Sequence, residues 1–97
     1  MEIEVVRVYM MESEHHLKAV LKILHDKVKV RHVTVFRGIE GFEVGGKLHS
    51  ASVMSLSLNL PITVEFFDQP ETVKKAVEQI QEILEKRYII KFNAESL

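Results

Sequence analysis

Apolar and polar positions along this chain follow two rhythms, and each change of rhythm predicts an element. Ile3, Val5, Val6, Val8 and Tyr9 fill residues 2–10 with β-branched and aromatic side chains, which predicts a strand. Val5 and Val6 are adjacent, so the strand either carries a bulge or has both faces covered. Leu17, Val20, Leu21, Leu24 and Val28 then recur at helical spacing, with Lys18, Lys22 and Lys29 largely off the stripe. This predicts an amphipathic helix of roughly 15 residues packed on a sheet. Ser13 is the expected N-cap, with Glu14 in the first turn and His15 and His16 beside it.

A second strand is expected over His32–Arg37, and a third over Met54–Leu60, where apolar and polar residues alternate strictly. Pro61 interrupts that ladder and is expected at a bulge or an edge, with strand continuing over Ile62–Phe67. Asp68, Pro70 and Glu71 read as a helix start, with Asp68 capping and Glu71 completing a capping box. Val73, Val77, Ile80 and Leu84 form the stripe of that second helix. Its charges read as a solvated face with pairs such as Glu71–Lys75 and Glu82–Lys86. Tyr88–Phe92 is a last short strand, followed by a tail without a clear signal.

The order β-α-β-β-α-β predicts an α+β, ferredoxin-like sandwich: a four-stranded antiparallel sheet with two helices on one face. The chain reads as one domain over residues 1–97. The second sheet face is then uncovered, carrying residues such as Val6, Val8, Phe36 or Phe67 according to register. An apolar face of that kind predicts a homo-oligomer.

Charge narrows the partners. Residues 1–50 carry 8 Lys and Arg against 7 Asp and Glu, and residues 51–97 carry 5 against 7. Neither half offers the basic face that duplex binding needs, so no nucleic-acid partner is expected. With no cysteine there is no disulfide, thiolate metal site or Cys nucleophile. The start Met1-Glu2-Ile3-Glu4 lacks the pattern of a signal peptide, and no apolar run is long enough to span a bilayer. A cytoplasmic protein is expected.

All four glycines, Gly38, Gly41, Gly45 and Gly46, fall between strands two and three. They could let backbone N–H groups approach a phosphate or carboxylate, with Arg37 and Lys47 supplying charge. The plainer reading is a hairpin whose turns need positive φ. Gly41, Gly46 and Lys47 have P-loop spacing, but Leu48 stands where Ser or Thr is needed and a strand follows. The five histidines include no zincin pair, and His49 lies beside the glycines. Ser50 or Ser52 with His49 and Glu43 could be drawn as a nucleophile set, but no Gly-x-Ser-x-Gly elbow is present and no enzyme is expected.

The run Thr34-Val35-Phe36-Arg37-Gly38-Ile39-Glu40-Gly41-Phe42, with Leu48-His49-Ser50-Ala51 and Leu58-Asn59-Leu60-Pro61-Ile62-Thr63-Val64-Glu65, resembles domain of unknown function family 190. That family is regarded as similar to the PII (GlnB-like) signal-transduction proteins. The resemblance implies a trimer with a T-loop-like segment at 38–50. It also implies a regulatory function: binding a small anionic ligand such as an adenine nucleotide in the clefts between subunits, or docking a partner protein. A membrane channel is one such partner. The site residues so implied are Arg37, Gly38, Gly41, Phe42, Glu43, Gly45, Gly46, Lys47 and His49, with Lys86 and Arg87 at the second loop. Glu43 stands where PII proteins have Gly, and no glycine occurs near Glu85-Lys86-Arg87. The alternative is a metal-responsive or structural trimer resembling the cation-tolerance proteins, in which His49 and Glu43 would matter. No resident metal or cofactor is expected.

Overall fold

The computed structural model describes residues 1–43, 49–50 and 59–97. The expected strand over Met54–Leu60 and the glycines Gly45 and Gly46 therefore lie mainly or wholly outside the described residues.

The main sheet is built from β1 (Glu2–Met11), β2 (His32–Arg37), β5 (Pro61–Asp68) and β6 (Ile89–Glu95). Their order is β2-β5-β1-β6, every neighbouring pair antiparallel. A two-stranded ribbon joins β3 (Glu40–Gly41) to β4 (His49–Ser50). Two helices, α1 (Leu17–Lys22) and α2 (Pro70–Ile80), cover one face of the main sheet. This is the ferredoxin-like sandwich expected from the residue pattern.

Register decides which residues meet the helices. Val6 pairs with Phe66, Val8 with Val64 and Met10 with Ile62, and all six are buried in one cluster with Val20, Ile23, Leu24, Val73, Ala76 and Ile80. Each such side chain contributes about 1.5–3 kcal/mol by leaving water. Val6 and Val8 are thus core residues and do not lie on the uncovered face. The pairing of β1 runs without a break from Glu2 to Met11, so no bulge separates Val5 from Val6. They simply point to opposite faces, as successive strand residues must.

The uncovered face carries Val5, Arg7 and Tyr9 from β1, Phe36 from β2, Phe67 from β5, and Ile90 and Phe92 from β6. Phe36, Ile90 and Phe92 are among the exposed large apolar residues. A charged pair sits among them: Arg7 Nε donates to Glu65 Oε1 at 2.9 Å while its guanidinium lies 5.2 Å from the centroid of Phe92.

The first helix begins later than Ser13. Residues Glu12–Glu14 form a 3-10 turn, and His15 takes a left-handed conformation (φ 57°) that breaks the chain before Leu17. Ser13 N–H instead donates to Asn59 Oδ1 at 3.0 Å. The helix closes with a π turn over Ile23–Lys27, where Val28 N–H donates to Ile23 O at 2.8 Å. Lys29 then adopts φ 60° as Val30 N–H reaches back to Leu24 O, a left-handed ending without its usual glycine.

Asp68 does not cap α2. It ends β5, buried, and Gln69 is the N-cap residue without a side-chain bond. Asp68 Oδ2 accepts from Arg31 N–H at 2.8 Å and Oδ1 from Gln69 N–H at 2.7 Å, tying the entry of β2 to that of α2. Lys86 lies in a 3-10 turn (Lys86–Tyr88) after α2, so it shares no helical face with Glu82. The final strand extends to Glu95, past the expected Phe92, because β1 offers partners down to Glu2.

Candidate functional site at the stems of the glycine-rich segment

The segment that leaves β2 and returns to β5 is held at both stems, and a proline sits between them. Pro61 opens β5, a central strand, at its first residue, where a missing N–H breaks no ladder bond. Its carbonyl accepts from Gly38 N–H at 2.8 Å. Its ring lies against both glycines: a Cβ on Gly38 would come within 2.8 Å of Pro61 Cγ, and one on Gly41 within 2.9 Å. Neither position requires a left-handed backbone, because neither glycine has a φ in that region. Close packing on a proline therefore requires glycine at positions 38 and 41, where the plainer expectation was a turn with positive φ.

Glu12 joins the two stems. Its Oε1 accepts from Arg37 Nη2 at 2.8 Å, from Arg37 Nε at 3.0 Å and from Leu60 N–H at 3.0 Å. Its own N–H donates to Leu60 O at 3.0 Å. The Arg37 hydrogen bond, helped by the Leu60 amide, holds the Glu12 carboxyl below the usual carboxylate range against a smaller opposing effect of burial. The Arg37 side chain keeps half its surface in solvent.

Glu43 has the opposite electrostatics. Burial pushes its carboxyl up, nearby Glu14 pushes it further, and Arg87 partly offsets both. Glu14 is itself engaged, accepting from Met11 N–H at 2.7 Å. Arg87 donates from Nε to Glu85 Oε2 at 2.9 Å and lies 4.8 Å from the Tyr88 ring centroid. Thus the 3-10 turn after β1, the stem after β2 and the 3-10 turn before β6 converge electrostatically.

Of the residues singled out in the sequence, Arg37, Gly38, Gly41 and Glu43 lie at this convergence, and Arg87 acts on it from the 3-10 turn before β6. Phe42 is exposed. Gly45, Gly46 and Lys47 are outside the described residues, and His49 is placed only by its backbone pairing with Gly41. Glu12, Glu14, Leu60 and Pro61 belong to the site and were not singled out for it. The signal available for Pro61 was its place directly after an apolar run and downstream of two glycines. Glu12 had no signal beyond ending the β1 pattern. Among the described residues no group of three or more His, Cys, Asp or Glu side chains is placed to hold a metal ion. No helix among them is long and apolar enough to cross a membrane.

An antiparallel four-stranded sheet with two helices on one face, and a long excursion between the second and third of its strands, is the architecture of the PII-like proteins. CPII from Thiomonas intermedia K12, in its structure bound to ADP and bicarbonate, matches 97% of this chain and 85% of its own with a TM-score of 0.69 and 16% identity. CutA1 from Oryza sativa matches 100% of this chain and 84% of its own with a TM-score of 0.64 and 15% identity. At those identities the likeness is one of fold. Sequence is more specific: residues 3–95 match the model of family DUF190, described as an uncharacterised ACR, and the chain belongs to that family. The UPF0166 protein MJ1524 of Methanocaldococcus jannaschii is 29% identical over 79 residues, which are 81% of this chain and 71% of that protein.

Proposed function

We propose that this chain is a PII-like regulatory protein that binds a small anion, with an adenine nucleotide as the leading ligand, at the stems of the 38–50 segment. The observation that carries the reading is Arg37: a half-exposed guanidinium at the mouth of the segment, paired with a single carboxylate oxygen of Glu12. A guanidinium presents a planar fork suited to phosphate or carboxylate oxygens. The fold is shared with CPII, a nitrogen regulatory PII-like protein whose structure holds ADP and bicarbonate.

The uncovered face extends this reading to assembly. Three large exposed apolar side chains beside half-buried Val5, Tyr9 and Phe67 favour a covering partner, and three copies of this chain would supply it. Ligand sites would then lie in the clefts between subunits. The chain acts here as a binding module in the cytoplasm and not as an enzyme, and ligand contact at Arg37 alters the surface shown to a protein partner, such as a membrane channel.

Calorimetry with ATP, ADP and AMP, on protein shown by light scattering to be trimeric, tests the ligand. Heat with at least one nucleotide, reduced by Arg37→Gln, is expected. A folded trimer that gives no heat with any of them contradicts the reading.

A further inference from the structure

Glu12 stands in a place a ligand would want. The Arg37 guanidinium already directs Nε and Nη2 at one carboxylate oxygen, and that same oxygen also receives the Leu60 amide. Any anion that uses those two donors must displace a carboxylate that belongs to the protein. The exchange leaves Glu12 with the Leu60 amide alone, three-quarters buried and without its counter-charge.

Resting on the anion-binding reading above, we infer that Glu12 is an internal competitor for Arg37 that sets the ligand class, admitting doubly charged phosphate groups and rejecting singly charged carboxylates and bicarbonate. A carboxylate ligand would replace one charge–fork pair by an identical one and strand Glu12, so the exchange gains nothing. A phosphate group of a nucleoside diphosphate brings more negative charge and further acceptor oxygens to the same fork. Glu12 is thus a specificity-determining residue that never touches the ligand, and its effect on affinity has the opposite sign to that of a residue that merely holds Arg37 in position.

That sign is the test. ADP and sodium bicarbonate are titrated by calorimetry at fixed ionic strength into the whole protein, Glu12→Gln, Arg37→Gln and the double variant. The amide keeps the shape and the acceptor for Leu60 while removing the competing charge. Glu12→Gln is expected to bind ADP about two- to fivefold more tightly, the range set by a half-exposed ion pair, and to gain bicarbonate heat that the parent lacks. In the Arg37→Gln background the same change is expected to do nothing.

Weaker ADP binding by Glu12→Gln, or a gain that persists without Arg37, overturns the inference. If Glu12→Gln does not fold, Glu12→Asp withdraws the carboxylate by one methylene; tighter ADP binding supports the inference, and unchanged or weaker binding overturns it. The failures are separable: ADP bound equally by parent and Glu12→Gln removes this inference alone, whereas no ADP binding by any of the proteins removes the anion-binding reading together with it.

Discussion

The ring of Pro61 occupies the space that a Cβ on residue 41 would need, with Cγ 2.9 Å from that position. Pro61 does the same at residue 38, at 2.8 Å. One rigid side chain at the start of β5 therefore dictates two glycines that leave β2, and the stems meet at a fixed separation.

Alanine at either glycine is expected to cost about 1–3 kcal/mol, the usual cost of forcing a methyl group into filled space. Pro61→Ala removes Cγ and Cδ and should restore most of the loss at Gly41, where the retained Cβ lies at an ordinary contact distance of 3.7 Å. Rescue at Gly38 should be smaller, because the Pro61 carbonyl oxygen lies 3.3 Å from its built Cβ as well. Thermal unfolding of the single and paired variants measures this. Equal losses with and without Pro61 would falsify the packing account.

Glu12 and Glu43 give opposite pH dependences. The folded-state carboxyl of Glu12 is lowered, chiefly by the Arg37 hydrogen bond, so its contribution to stability is present above the unfolded value near 4.5 and is lost as pH falls through the folded value. Glu43 is raised, chiefly by burial, so the folded state prefers it protonated and loses stability as pH rises from the unfolded value through the folded one. Glu43→Gln should therefore stabilise the protein at neutral pH, and Glu12→Gln should destabilise it there. Both differences should shrink once the pH is low enough to protonate the carboxyl in folded and unfolded chains alike. Denaturant unfolding at a series of pH values reads both signs.

Asp68 accepts from two backbone N–H groups at the junction of β5 and α2 and lies 3.4 Å from Arg31 Nε. Asp68→Ala leaves the part-buried Arg31 and Gln69 amides short of an acceptor, with an expected loss of about 1–2 kcal/mol. Asp68→Asn retains one acceptor oxygen and should lose less. Urea midpoints at constant slope give the comparison.

On the uncovered face, Phe92 lies against the guanidinium of Arg7 and remains exposed in the single chain. If three copies bury that face, Phe92→Glu places a charge in the interface and should yield monomers by light scattering. Far-ultraviolet circular dichroism should stay unchanged, since Phe92 takes no part in the core. An unaltered mass would place the subunit contact elsewhere.

The sheet and its two helices were legible in the sequence because buried apolar positions repeat with the periods of the elements they form. Val20, Leu24, Val73 and Ile80 are core residues for that reason. Register was not legible. Val6 and Val8 look the same in the sequence whichever face they take, and only pairing with Phe66 and Val64 assigns them to the core. Local capping rules also gave way to long-range bonds: Asp68 has the spacing of a capping residue, yet the Arg31 amide, 37 residues away in sequence, holds its carboxylate. At the site, Arg37 and Gly41 could be picked out by residue type. Glu12 and Pro61 could not, because their roles exist only once β1, β2 and β5 lie side by side.

The account turns on Arg37 as an anion-binding group, and nitrogen-15 NMR of the arginine side chains addresses it most directly. During titration with ADP, the Arg37 Nε–H resonance should move saturably, together with the Leu60 amide that shares its carboxylate. The Glu12→Gln variant should reach saturation at lower ADP. Folded, assembled protein whose Arg37 and Leu60 signals stay fixed throughout the titration would contradict the account.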